Sequence, residues 1–222
     1  MDVEALRLRI YHGFAAEGRA FDVDALSDAV DEAPHEVVLG LRELAELRHV
    51  VLAETGGDVR IVMAHPFSAV PLGFSVMGPR TLWWGGCAWD AFAIPHLVPG
   101  APEVLVATTC PGCGRALAWR VGRSAPPAGR EVAHFLVPAA RMWDDVVFTC
   151  GNQRLFCSGA CVDAWLASAG SPRGYVMDLP TLWRLAEHWY DGRLAGGYVR
   201  RDPAAAADYL REVGLSGSFW GL

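Results

Sequence analysis

The chain of 222 residues is long enough to bury a core without crosslinks, and 52% hydrophobic, 10% aromatic and 20% charged residues exclude a disordered or fibrous protein. The net charge is −6 and all 19 basic residues are arginines, which disfavours a nucleic-acid partner. No apolar stretch reaches the ~20 residues that span a bilayer, and the first residues lack the features of a secretion signal. We expect a soluble, cytoplasmic protein whose six cysteines are thiols.

Residues 1–63 predict a small winged-helix-like domain. Apolar residues recur at helical spacing over 3–14, and a second helix over 23–30 has Asp22 or Asp24 as a candidate cap. Pro34 suits the first turn of a third helix that runs to Leu47. Two β-rich runs then flank a Thr-Gly-Gly-Asp turn at 55–58. Three helices and a hairpin are the winged-helix pattern.

The pattern of residues 64–222 predicts a larger domain with a mixed, mostly antiparallel sheet and helices, so the fold class is α+β. Short apolar runs broken by Pro and Gly favour strands at 67–76, 103–108, 116–121 and 133–137. Tryptophan-bearing segments at 161–169 and 181–190 favour helices. The segment 123–130 is rich in Pro, Ala and Gly and predicts a loop.

The segment Gly85–Pro95 places a thiol, Cys87, three residues before a carboxyl, Asp90. On one helical turn the two side chains would share a face. A thiolate is a soft ligand and a nucleophile, and a nearby carboxyl can bind a metal or deliver a proton. The alternative is a buried cysteine beside an aspartate that caps a helix.

A further thiol, Cys150, follows a β-like run at 147–149. Two thiolates can bind a soft, two-coordinate ion such as Hg²⁺. The alternative is that Cys150 is a core residue that behaves as a small hydrophobe.

The other four cysteines form two close pairs, one in a Cys-Pro-Gly-Cys knuckle and one at the start of a predicted helix: Cys110, Cys113, Cys157 and Cys161. Two such pairs are what a structural tetrahedral zinc site requires. Free thiols and accessory mercury ligands remain the alternatives.

The histidines and tryptophans give weaker signals. No histidines form the spaced pair of a zinc protease, and the isolated His65, His96 and His188 predict structural roles. The nine tryptophans predict core or pocket-wall positions, and an apolar pocket would suit a small organic group bound to a metal. No glycine motif indicates a nucleotide cofactor.

The chain contains three motifs in this order: His-Pro-Phe-Ser-Ala-Val-Pro at 65–71, Cys-Ala-Trp-Asp-Ala at 87–91 and Phe-Thr-Cys at 148–150. In their order and spacing they resemble the alkylmercury (organomercurial) lyase family. The resemblance extends to the helical start and to the Leu-Trp-Arg-Leu-Ala segment at 182–186, and it implies that residues 64–222 form the catalytic domain. It implies protonolysis without a cofactor, in which Cys87 and Cys150 bind the mercury of an organomercurial and Asp90 donates the proton to carbon. Cys110 corresponds to a cysteine read as structural, whereas Cys113, Cys157 and Cys161 are additional to the family's minimal set.

The resemblance also implies partners: an organomercurial substrate, cellular thiols, and a mercuric reductase that receives Hg²⁺. Two other functions remain open. The same thiols would serve a soft-metal-binding or metal-sensing protein without turnover. A winged-helix regulator with a zinc knuckle would use the first ~60 residues on DNA, but the recognition stretch 34–47 carries Glu36, Glu43 and Glu46 against Arg42, a poor phosphate-facing surface.

Overall fold

A computed structural model describes residues 1–222, which form eight α-helices and ten β-strands. The helices are α1 (Val3–Glu17), α2 (Val23–Val30), α3 (Pro34–Glu46), α4 (Ala88–Leu97), α5 (Val146–Gly151), α6 (Gly159–Ala169), α7 (Leu179–Glu187) and α8 (Pro203–Glu212). The strands are β1 (Val51–Thr55), β2 (Asp58–Ala64), β3 (Phe67–Ser68), β4 (Phe74–Met77), β5 (Leu82–Gly85), β6 (Glu103–Thr109), β7 (Ala116–Gly122), β8 (Val132–Phe135), β9 (Gln153–Phe156) and β10 (Tyr175–Asp178). No helix is both long and apolar enough to cross a membrane.

The strands form two sheets. Seven strands lie in the order β1-β2-β3-β5-β4-β6-β7, and three lie in the order β10-β8-β9. Every strand pair is antiparallel, so the α+β fold with a mostly antiparallel sheet is confirmed, and the sheets contain no parallel pair. β2 pairs with both β1 and β3, so the N-terminal hairpin is continuous with the larger sheet.

Helix α4 lies at the centre of the fold. It contacts α7 and strands of both sheets, and almost every one of its residues is buried. A helix that is apolar on all sides is expected to be buried on all sides. The side chains at its start are therefore held by packing from both sheets.

Local capping explains several helix starts. Asp22 accepts a hydrogen bond from the N–H of Ala25 and starts α2, while Pro34 occupies the first turn of α3. The predicted helices over 23–30 and from Pro34 are present, and the third ends at Glu46 with Leu47 as its cap.

Three sequence expectations differ from the structure. Cys150 does not follow a strand: it lies in α5, because Asp145 caps that helix by accepting from the N–H of Phe148. The run 67–76 divides into β3 and β4 around Pro71. The helix expected over 181–190 begins at Leu179, where Asp178 caps it, and ends at Glu187.

Candidate active site

Cys87 is the N-cap of α4. Its backbone is extended, and its Sγ accepts a hydrogen bond from the N–H of Asp90 at 3.4 Å. The preceding Gly86 leaves room for the Asp90 carboxyl, since a Cβ there would lie 2.4 Å from Asp90 Oδ2 and 2.4 Å from Met63 Cε. The predicted single helical turn thus holds the thiol and the carboxyl together, but the cysteine, not the aspartate, is the cap.

Asp90 is a buried carboxyl with one oxygen satisfied and one free. Its side chain is 1% exposed, and Tyr190 Oη donates a hydrogen bond to Oδ1 at 2.5 Å. Oδ2 has no hydrogen-bond partner and lies 3.9 Å from His65 Nε2. Burial raises the pKa of Asp90 from 3.8 to about 7, against the opposing effects of Tyr190, Cys87 and Arg193. The carboxyl therefore holds a proton in much of the population at neutral pH.

Cys150 faces the same carboxyl from α5. Its side chain is buried, and its Sγ lies 3.5 Å from His65 Nε2. The neighbouring Cys87 thiol favours the Cys150 thiolate, but burial and the Asp90 charge outweigh this effect and raise the pKa of Cys150. Burial and the same two neighbours raise the pKa of Cys87 well above its usual value. Both sulfurs are therefore thiols until a soft cation displaces their protons.

His65 belongs to this cluster, although the sequence predicted a structural role for it. Its ring nitrogen, a carboxyl oxygen of Asp90 and the sulfur of Cys150 all lie within 4.8 Å of one another. Burial, with repulsion from Arg193 and Arg200, lowers the pKa of His65 to about 3, so the ring is neutral. The motif around His65 was noted in the sequence, but only the fold brings the ring to Cys150.

Arg193 is a second residue that sequence reasoning missed. It is 4% exposed and donates to the backbone oxygen of His65 at 2.8 Å and to Tyr11 Oη at 3.1 Å. Its guanidinium also lies over the Tyr190 ring, 4.8 Å from the centroid. Arg193 therefore ties helix α1, the histidine and the tyrosine that holds Asp90 into one buried network. No motif around Arg193 distinguishes it from the other arginines in the sequence.

Cys87, Asp90, Cys150 and His65 line a cavity of about 560 Å³. Its walls are largely apolar, and four tryptophans contribute: Trp89, Trp143, Trp189 and Trp220. The remaining tryptophans do not line it.

Two arginine side chains lie against the Trp143 ring at the cavity wall. The guanidinium carbon of Arg48 lies 5.3 Å from its centroid and that of Arg200 lies 4.6 Å from it. Arg48 follows α3 and Arg200 precedes α8, so both ends of the chain contribute to this wall. A cavity with aromatic walls and arginine side chains on one side suits a small apolar group bound together with an anionic ligand.

The four remaining cysteines form a second cluster. The Sγ atoms of Cys110, Cys113, Cys157 and Cys161 all lie within 4.8 Å of one another, and none of them lines the cavity. Cys87 and Cys150 lie at the cavity, and the other four thiols lie together outside it.

Two buried thiols beside a buried carboxyl are the groups that a soft-metal site with a proton donor would need. The sequence profile of the alkylmercury lyase family (MerB) matches residues 67–191, more than half of the chain. The chain therefore belongs to the alkylmercury lyase family, and it is a carbon–mercury lyase.

Among solved structures, the mercury-bound form of MerB2 is similar to this chain with a TM-score of 0.63. The two are 16% identical, and the similarity covers 87% of this chain and 91% of that chain. At this identity the likeness establishes a shared fold. A search of curated proteins gave no match.

Proposed function

We propose that this chain cleaves the carbon–mercury bond of organomercurials by protonolysis, with Cys87 and Cys150 as the mercury ligands and Asp90 as the proton donor. The observation that carries the proposal is the unpartnered Oδ2 of Asp90, buried beside two thiols at the wall of an aromatic cavity. A buried oxygen without a hydrogen bond is costly, and a reacting group that must receive or deliver a proton justifies that cost.

The reaction balances without a cofactor. One thiol displaces the small thiolate from R–Hg–SR′, and its proton leaves on that thiolate as R′SH. Asp90 then protonates the carbon, so that the C–Hg bond breaks and R–H leaves. The second active-site thiol binds mercury, and its proton restores the acid form of Asp90. Hg²⁺ remains on Cys87 and Cys150, since soft ions select sulfur.

The electrostatics of the site favour this order of events. Burial holds the pKa of Asp90 at about 7, so the acid form that donates is well populated near neutral pH. His65, being neutral and 3.5 Å from Cys150 Sγ, orients that thiol without adding a charge that would repel the cation. Tyr190 holds the other oxygen of Asp90, so that Oδ2 is the oxygen left to react.

The cavity also indicates the form of the substrate. Its tryptophan walls suit a small alkyl or aryl group, and about 560 Å³ is ample for one. Arg48, Arg193 and Arg200 at the cavity disfavour a bare organomercury cation and favour its complex with a carboxylate-bearing thiol. The same class of cellular thiol, followed by a mercuric reductase, would take the Hg²⁺ product. Such thiols are kept reduced in the cytoplasm, where we place the reaction.

We further propose that residues 1–63 form a winged-helix-like domain and residues 64–222 the catalytic domain. Mutual packing of α1, α2 and α3, followed by the β1–β2 hairpin, supports this division. A DNA-binding role is not favoured, because α3 carries three glutamates and its Arg42 is held by Glu54 through two hydrogen bonds. This unit instead supplies Arg48 to the cavity wall.

The test is a headspace assay for methane or benzene, with methylmercury or phenylmercury as substrate and a small thiol in excess. The parent protein should release hydrocarbon, Cys87→Ser should release none, and Asp90→Asn should bind organomercury but cleave it slowly. A matched control is Asp28→Asn, which makes the same change at an exposed aspartate outside the cavity. Mercury binding without hydrocarbon from the parent would instead identify a soft-metal-binding protein, and turnover by Cys87→Ser at the parent's rate would refute the assigned role.

A further inference from the structure

Four cysteine thiols converge at a point where the two sheets meet. Cys110 and Cys113 lie in the turn between β6 and β7, and Cys157 and Cys161 lie between β9 and the first turn of α6. We propose that these four thiolates bind one zinc ion, which fixes the β9–α6 junction of the smaller sheet to the β6–β7 turn of the larger one.

The distances fit a tetrahedral ion. With Zn–S bonds of about 2.3 Å, the sulfurs of a tetrahedral tetrathiolate site are about 3.8 Å apart. The four Sγ atoms here all lie within 4.8 Å of one another, and those of Cys113 and Cys157 are 3.5 Å apart. A disulfide would require about 2.05 Å, so these are four separate ligands.

The local backbone is also built for this convergence. A Cβ at Gly112 would lie 2.2 Å from the backbone oxygen of Cys161, so only glycine allows the two knuckles to approach this closely. The N–H of Gly114 donates to the backbone oxygen of Cys110, which closes the first knuckle. The N–H of Cys157 points at Cys110 Sγ at 3.5 Å, a donor that would help to hold a metal-bound thiolate.

Zinc is the ion that this donor set selects. Four thiolates in a closed tetrahedral arrangement, with no vacant position, are typical of structural zinc, whereas Hg²⁺ is satisfied by the two thiolates of the cavity. None of the four cysteines lines that cavity, so the two sites are separate.

The zinc site would also position an active-site group. Strand β9 begins shortly after Cys150, which lies in α5, and ends immediately before Cys157. Anchoring Cys157 therefore restrains β9 and, through it, the helix α5 in which Cys150 lies. The ion would act at a distance on the geometry of the mercury site, as a structural element without contact to substrate.

The first measurement is the metal content of the full-length protein as purified, by elemental mass spectrometry. We expect one zinc per chain in the parent and in Cys87→Ser and Cys150→Ser, and loss of zinc in Cys113→Ser and Cys161→Ser. Loss of zinc from the Cys87→Ser protein to the same extent would overturn the assignment, because it would place the metal in the cavity.

A second measurement does not depend on the variants folding. The parent is treated with a chelator and titrated with Co²⁺, and the expected result is the absorption of a tetrahedral tetrathiolate complex at one equivalent, reversed by one equivalent of Zn²⁺. Phenylmercury added at one equivalent should leave the cobalt spectrum unchanged. A parent protein that contains no zinc and gives no tetrathiolate cobalt spectrum would refute the site, whatever its lyase activity.

Discussion

Replacing Asp90 by asparagine should change how the stability of the protein depends on pH. Burial raises the pKa of Asp90 from 3.8 to about 7, so the folded state holds this proton more tightly than the unfolded state. The contribution of Asp90 to the stability of the parent is therefore greatest below about pH 4, falls as the pH rises through 7, and is lost above that. The amide of the Asp90→Asn variant has no such proton to lose, so the variant avoids this fall.

The size of the effect follows from proton linkage. A shift of about three pKa units corresponds to about 4 kcal/mol in total, since one unit is 1.36 kcal/mol. Between pH 5 and pH 8 the linkage relation gives about 2.5 kcal/mol of this. The pKa values of both cavity thiols are raised, so Cys87 and Cys150 stay protonated across this range and do not obscure the change.

The assay is urea unfolding of parent and Asp90→Asn at several values between pH 5 and 8, followed by tryptophan fluorescence. The free energy of unfolding of the variant should rise relative to that of the parent by about 2.5 kcal/mol over the range. Asp28→Asn, which changes an exposed aspartate of α2, is the matched control and should follow the parent. If the Asp90→Asn and parent curves ran parallel, the raised pKa, and with it the role of Asp90 as a neutral-pH acid, would be wrong.

Two further variants probe how the carboxyl is held. Tyr190→Phe removes the hydrogen-bond donor to Asp90 Oδ1, so the pKa of Asp90 should rise further. Loss of a hydrogen bond to a charged group predicts a rise of about 1–2 pKa units, measured by infrared difference spectroscopy of the carboxyl across a pH titration. An unchanged midpoint would contradict the contact. Gly86→Ala places a methyl group against Asp90 Oδ2 and Met63 Cε, which should lower the free energy of unfolding by about 1–3 kcal/mol. The variant should release hydrocarbon more slowly than the parent while it still binds Hg²⁺. Turnover at the parent's rate would show that Oδ2 need not keep its position.

The parts of the fold that the sequence predicts are those with local causes. Helices α2 and α3 follow from an aspartate cap and a first-turn proline, each beside an apolar stripe. The pairing of Cys87 with Asp90 follows from their spacing of three residues. By contrast, α5 was expected to be β-like from its β-branched residues, and the Asp145 cap overrides that propensity. Strands β9 and β10 are four residues each, too short for a clear alternation.

The candidate site is predictable only in part, because its remaining contacts join distant residues. His65 reaches Cys150, and Tyr190 reaches Asp90, across 85 and 100 positions of sequence. No periodicity connects such pairs. The proximity of Cys150 to Cys87 came from family resemblance, whereas the contributions of His65, Tyr190 and Arg193 required the folded chain. The clustering of the other four cysteines was anticipated because metal knuckles have a short-range spacing.

The continuity of β2 with β1 and β3 has a consequence for any truncated form of this protein. The family profile covers residues 67–191, yet excising that segment would remove His65 and Arg193 and leave the two-residue β3 as an unprotected sheet edge. Phe14 stacks on Phe67 at 5.7 Å, and its backbone oxygen accepts from Trp83 Nε1, so the cut would also expose aromatic surface. The excised segment should aggregate, and a working truncated form needs residues outside the matched range, His65 and Arg193 among them.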